Sequence, residues 1–295
     1  MHGTTAGLRP DADARLAGLK HERPEWRAWL GLLGEVRRAL DAAARHPMVV
    51  LSGSGDTDAP VSAGAPLLQR RTLELDASRL ERLLRRLIET AVEGMMAGGA
   101  SLAGYRPARS EVVRLIGAAI RQDQRAISET ATRAGTDSSA LASVAHLAAL
   151  PVLHTCGRLL QSRVTPGWAH GYCPICAAWP TLAELRGLDR SRRLRCVRCA
   201  GEWEVEPLRC VYCGEREHRR LGSLVPETPG DVHKVETCDS CQGYIKSVAT
   251  LQAIPPFELL LQDLETVELD IVARERGYGR PDASGFELEV TVAGD

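Results

Sequence analysis

Gly171-Tyr172-Cys173-Pro174-Ile175-Cys176 is the first of four short cysteine runs. Cys196-Val197-Arg198-Cys199, Cys210-Val211-Tyr212-Cys213 and Cys238-Asp239-Ser240-Cys241 follow it, so eight of the nine cysteines fall in four C-x-x-C units within 69 residues. Two intervening residues let both sulfurs of a unit face one ion from a tight turn, and a second unit completes a tetrahedron. A single unit could be a redox dithiol. Four with identical spacing point to metal.

The gaps suggest a pairing. Nineteen residues separate units one and two, and twenty-four separate units three and four, each enough for a hairpin. Only ten separate units two and three. The expected sites are therefore Cys173, Cys176, Cys196 and Cys199, and Cys210, Cys213, Cys238 and Cys241, with interleaved pairing as the alternative. Each set binds one ion, iron or zinc, since both accept four thiolates. A set closed by four cysteines leaves no position for a substrate water, which argues against hydrolytic metal catalysis. The ninth cysteine, Cys156, lies on an apolar helical stretch and reads as a core thiol. His170, His218 and His233 flank the units and read as surface or supporting residues.

Working outward, residues 1–164 have helical periodicity. Pro24 to Arg45 carries Trp26, Trp29, Leu30, Leu33, Val36 and Leu40 near helical spacing, and Pro47 stops it. Ser52 to Pro66 reads as a loop, placed at about 47–70. Ser78 and Glu81 form a capping-box pattern ahead of a stripe from Leu80 to Ala91. A third helix is expected from Ala108 to Ala134, and a fourth from Asp137 continuing past Pro151. Phe257 to Arg276 reads as one acidic helix, with a short strand from Phe286 to Val292 after it. The fold expected is α+β, with a helical domain at 1–164. Tandem knuckle modules follow at 165–250 (about 168–205 and 206–250), then a C-terminal helix and tail at 251–295.

Composition narrows the function. The net charge is −1, and residues 165–250 carry 12 basic against 11 acidic side chains. A nucleic-acid binder needs a basic surface to displace counterions, so a zinc-ribbon nucleic-acid role ranks third. The one basic run, Arg190, Arg192, Arg193, Arg195 and Arg198, precedes Glu202, Glu204 and Glu206 and reads as a self-compensating hairpin. No apolar stretch of about 18 residues predicts a membrane span. Charges at Asp11, Asp13 and Arg15 interrupt what would be the apolar part of an export signal. No Ser-His-Asp order and no phosphate-cradling Gly-Lys loop is present, so no catalytic residue is assigned. A redox protein passing electrons through its knuckles is the main alternative to a non-enzymatic platform. Oligomeric state is left open.

These runs resemble one known family. Gly171 to Cys176, Cys196 to Cys199 with Trp203, and Leu208-Arg209-Cys210-Val211-Tyr212-Cys213-Gly214 are similar to the formate dehydrogenase accessory proteins, often called FdhE. The run Glu236-Thr237-Cys238-Asp239-Ser240-Cys241 followed by Tyr244-Ile245-Lys246 resembles that family's C-D-x-C-x-x-Y-[LI]-K signature. Asp270-Ile271-Val272-Ala273 and Gly277-Tyr278 extend the match, which covers about residues 168–280. One departure is local. The family places Gly after the second cysteine of a knuckle, where this chain has Ala177, Ala200 and Gln242, and only Gly214 conforms. The resemblance implies rubredoxin-like knuckles and a cytoplasmic location. It also implies binding to the catalytic subunit of a respiratory formate dehydrogenase, to help make that enzyme active. Asp239, Tyr244 and Lys246 are the candidates for that contact.

Overall fold

The computed structural model describes residues 12–52, 64–226 and 232–294. The loop expected at Ser52 to Pro66 therefore lies largely outside the described residues, as does Asp11. Among the described residues, six helices make the N-terminal part: α1 (Ala12–Glu22), α2 (Arg27–Arg45), α3 (Ala77–Glu93), α4 (Arg109–Arg121), α5 (Gln124–Ala134) and α6 (Ser138–Leu160). Helix α1, which the sequence reading does not assign, buries Ala12, Leu16 and Leu19. Arg15 holds it through ion pairs to Glu258 and Glu265 near the other end of the chain.

Two helix boundaries in this N-terminal part differ from the sequence reading through capping. Helix α3 starts at Ala77 because Asp76, not Ser78, is its N-cap, and the Asp76 carboxylate accepts from the Arg79 amide at 2.9 Å. Glu81 turns instead to Arg85 and Arg109. The long third helix is two. Gln122 ends α4 in the left-handed region at φ 60°, and Asp123 caps α5 by accepting from the Ala126 amide. Aspartate competes with the helical backbone and wins at such ends.

Helix α6 is the centre of this part, packing against α2, α3, α4 and α5. With its 3₁₀ extension, Ser138–Arg163 is long and apolar enough to cross a bilayer, but 83% of its most apolar window is buried inside the protein. That makes it a core helix. Pro151 sits within it, and α6 continues to Leu160.

Two sheets complete the fold. The small one is β1 (Val49–Ser52), β2 (Thr72–Leu75) and β9 (Thr291–Gly294), with β2 and β9 parallel, so the tail returns to the helical part. The large one has the order β5-β4-β3-β8-β7-β6, using β3 (Leu182–Arg186), β4 (Ser191–Arg195), β5 (Glu202–Glu204), β6 (Leu221–Leu224), β7 (His233–Cys238) and β8 (Gly243–Thr250). Each half is a three-stranded antiparallel unit, and parallel pairing of β3 with β8 fuses them. The C-terminal helix is interrupted at Thr266 into α7 (Pro256–Glu265) and α8 (Val267–Glu275).

Candidate metal centres

Each half of the large sheet has the same plan: a knuckle, a strand, a strand, a second knuckle, a strand. Cys173 to Cys176 precedes β3, and Cys196 to Cys199 joins β4 to β5. Cys210 to Cys213 precedes β6, and Cys238 to Cys241 joins β7 to β8. The turns repeat too. The Cys173 amide donates to Ala178 O at 2.8 Å, Cys196 to Gly201 O at 3.0 Å, and Cys210 to Glu215 O at 2.8 Å. The residue after each second cysteine is left-handed: Ala177 (φ 66°), Ala200 (61°), Gly214 (79°) and Gln242 (54°). Three knuckles thus hold a non-glycine residue where glycine is the unstrained choice.

The thiols gather as two sets, Cys173, Cys176, Cys196, Cys199 and Cys210, Cys213, Cys238, Cys241, with the sulfurs of each set within 4.8 Å of one another. The interleaved arrangement does not occur. Cys173 and Cys199 sulfurs are 3.4 Å apart, and Cys176 and Cys196 3.5 Å. Cys210 and Cys241 are 3.6 Å apart, and Cys213 and Cys238 3.7 Å. A tetrahedron with metal–sulfur bonds of about 2.3 Å has edges of about 3.8 Å, so these spacings fit a four-thiolate ion. The donor chemistry fits as well. Burial holds the Cys173 thiol well above its ordinary pKa, while hydrogen bonds from neighbouring thiols hold Cys176 well below it. Four such thiols cannot all ionise in an apolar setting without a cation to balance them. An ion bound here would crosslink the strands and neutralise the thiolates.

Site 1, the first set, is built into the main core. All four of its cysteines are fully buried and belong to the same apolar cluster as α2, α3, α4 and α6. Its knuckles are stitched to the helical part. Leu67 and Leu68 amides donate to Pro174 O and Ile175 O. Arg198, inside the second knuckle, donates to the Ala119 carbonyl and caps the C-terminus of α4. Burial pushes the His154 ring down to about 4, so it is neutral at pH 7 and its Nε2–H donates to Val197 O at 2.9 Å. Gly157 of α6 lies so close that a Cβ on it would stand 3.0 Å from the Cys199 carbonyl carbon and closer still to its oxygen.

Site 2, the second set, faces outward. Cys213 and Cys241 are exposed, while Cys210 and Cys238 are buried. A chain of rings links it to site 1. Tyr172, beside Cys173, contacts Trp179 at 6.2 Å between ring centres, and Trp179 contacts Tyr212, inside the third knuckle, at 5.1 Å edge-on.

The three signature residues separate. Asp239 is exposed and accepts from the Tyr278 hydroxyl at 2.7 Å. Tyr244 is 4% exposed and donates to Asp270. Lys246 is 1% exposed and pairs with Asp263 at 2.7 Å and Asp270 at 2.6 Å beneath α7 and α8, with Arg280 completing the group. The sequence reading did not assign Asp263, Asp270 and Arg280. A lysine inside an alternating apolar strand was the available signal.

Four of the five arginines of the basic run are consumed internally, and Arg190 is exposed. Arg192 pairs with Glu236, Arg193 with Glu204, and Arg195 with the fully buried Glu184. Cys156 is buried as a core thiol, and Gln262 holds His233 at 2.7 Å.

With this geometry in view, comparison with known proteins is informative. Residues 208–286 match the family described as "FdhE, C-terminal domain". Among curated relatives, a protein FdhE homolog of Stutzerimonas stutzeri is 36% identical over 111 residues, covering 37% of this chain and 35% of its own length. A homolog from Aquifex aeolicus is 30% identical over 117 residues, covering 38% and 40%. Protein FdhE of Escherichia coli K12 is 28% identical over 128 residues, covering 43% and 40%. These aligned stretches span two fifths or less of the relatives' own length. The crystal structure of the FdhE protein from Pseudomonas aeruginosa matches 93% of both chains, with a TM-score of 0.56 and 25% identity. Domain match, curated relatives and whole-chain structural match converge in supporting an FdhE-like family for this chain.

Proposed function

We propose that this chain is an accessory protein for the maturation of a respiratory formate dehydrogenase. In this reading it binds the catalytic subunit in the cytoplasm and catalyses no reaction of its own. The observation that carries the reading is the pair of closed four-thiol sets on one continuous sheet, locked to a helical core. A closed set offers no coordination position to a substrate, which suits a platform better than a hydrolase. The eight cysteines are its metal ligands, and Asp239 is the exposed member of its partner surface. Tyr244 and Lys246 are buried against Asp263 and Asp270 and hold α7 and α8 to the sheet.

The test is genetic and biochemical. A strain lacking the chain is expected to make formate dehydrogenase polypeptide with little activity, and the tagged chain is expected to capture the catalytic subunit. Wild-type activity in the deletion strain, with no capture, would refute the reading. The ring contacts between the sites favour a second reading, electron transfer through iron knuckles. Metal analysis with a visible spectrum separates the two: about two irons with thiolate-to-iron absorption supports the second, two zincs without colour the first.

A further inference from the structure

The two sites differ in ways that bear on what each can do with its ion. Site 1 is sealed. Its four thiols are fully buried, and the core surrounding them is shared with the helices. Freeing an ion from it requires opening that core, and such openings are the rarest fluctuations of a folded chain. Its two knuckles are also tied to three separate parts of the helical region, by hydrogen bonds from Leu67 and Leu68, from His154, and from Arg198 of the knuckle itself to the Ala119 carbonyl.

Site 2 is open on two flanks. On one, Cys213 and Cys241 face solvent. On the other, Cys210 and Cys238 line a cavity of about 260 Å³ that also touches Arg192, Lys234 and Tyr244. Around its fourth knuckle the side-chain ties are exposed polar ones, Ser240 to Glu215 at 2.6 Å, Arg220 to Ser240 at 3.3 Å and Tyr278 to Asp239 at 2.7 Å, beside backbone bonds from Asp239 to Arg220 and from Gly279 to Gln242. Side-chain bonds of that kind contribute little and break readily in water. An incoming ligand reaches the sulfurs of site 2 without displacing any core side chain.

We propose that the sites divide their labour: site 1 keeps its ion permanently as a structural crosslink. Site 2 is the exchangeable centre, where an external chelating or thiol group takes up or delivers a metal ion through the Cys213–Cys241 flank. The proposal rests on the reading of both sets as metal sites and adds an order of release. In an exchange, the incoming donor replaces one cysteine thiolate at a time on the ion, and no electron is transferred.

The experiment loads the full chain with two equivalents of cobalt(II), whose thiolate absorption is visible, and adds excess EDTA. The expected result is two phases of one cobalt each, with release on the order of 100-fold faster in the first because only the second needs core opening. Cys241→Ser is expected to abolish the fast phase and retain the slow equivalent. A second measurement, iodoacetamide labelling during release, is expected to reach Cys213 and Cys241 before any cysteine of site 1. A single phase for both ions, a fast phase surviving in Cys241→Ser, or first labelling at site 1 would overturn the proposal. A chain that binds no cobalt at all would overturn the metal reading itself, and the proposal with it.

Discussion

Replacing Gly157 by alanine tests the junction between α6 and site 1 through the sign of its effect. Inside a helix, glycine to alanine ordinarily stabilises by about 0.8–1.0 kcal/mol, because alanine loses less backbone freedom on folding. At position 157 the added methyl would stand 3.0 Å from the Cys199 carbonyl carbon and 3.6 Å from the Cys199 Cβ, with the carbonyl oxygen nearer than either. No flexible side chain is there to yield. Helix and knuckle must part, and their neighbours Leu153, Cys156 and Leu160 are all buried. Overpacking of this kind costs about 1–3 kcal/mol or more, and backbone against backbone lies at the upper end. After subtracting the helix gain, the variant is expected to lose about 2 kcal/mol. Urea denaturation with bound metal measured in parallel reads the effect. Gly18→Ala in α1 is the control, because only the Glu22 carboxylate comes near, at 3.9 Å. It should gain up to about 1 kcal/mol. A Gly157→Ala chain as stable as wild type would refute the close docking of the knuckle on α6.

Other expectations follow from the same structure. Lys246→Ala leaves Asp263 and Asp270 facing a cavity with one cation fewer, and should cost about 3–5 kcal/mol in chemical denaturation. Asp239→Ala, on the surface, should cost no more than about 1 kcal/mol yet weaken capture of the formate dehydrogenase catalytic subunit. Unchanged capture would remove Asp239 from the partner surface. His154 carries a pKa of about 4 because it is buried, against about 6.5 when unfolded. The unfolded chain therefore binds more protons between those values, and the stability His154 contributes is lost as pH falls. Between pH 7 and pH 5 the loss should be about 2 kcal/mol more in wild type than in His154→Gln, measured by denaturation at both pH values. Ala200→Gly relieves a left-handed alanine and should stabilise by up to about 1 kcal/mol, with unchanged metal content.

The cysteine spacing carried most of what could be read in advance, because ligand geometry is local: two residues between sulfurs, a hairpin between pairs. The apolar stripes of α2, α3 and α6 were legible for the same reason, each being periodic over several turns. What escaped depends on long-range pairing. Nothing in the Leu182 to Arg186 stretch announces that β3 will pair in parallel with β8, some sixty residues later, and merge two modules into one sheet. The short strands β1 and β2 flank a polar loop and gain their third partner, β9, only from the far end of the chain. Lys246 reads as a partner-contact candidate from its place in the signature after the fourth knuckle, yet it is buried. Its burial follows from Asp263 and Asp270, which approach it only after α7 and α8 fold back. The helix breaks at Asp123 and Thr266 turned on single residues that outweighed a favourable period.

Because the sulfurs of site 1 are part of the main apolar core, an ion held there would be coupled to the folding of the helices as well as the sheet. Ligand binding to the native state alone adds stability as the logarithm of ligand concentration, about 1.4 kcal/mol for every tenfold rise in free metal above the dissociation constant. Metal supply would then bear on chains as they first fold, while a chain already loaded keeps its ion behind the closed core.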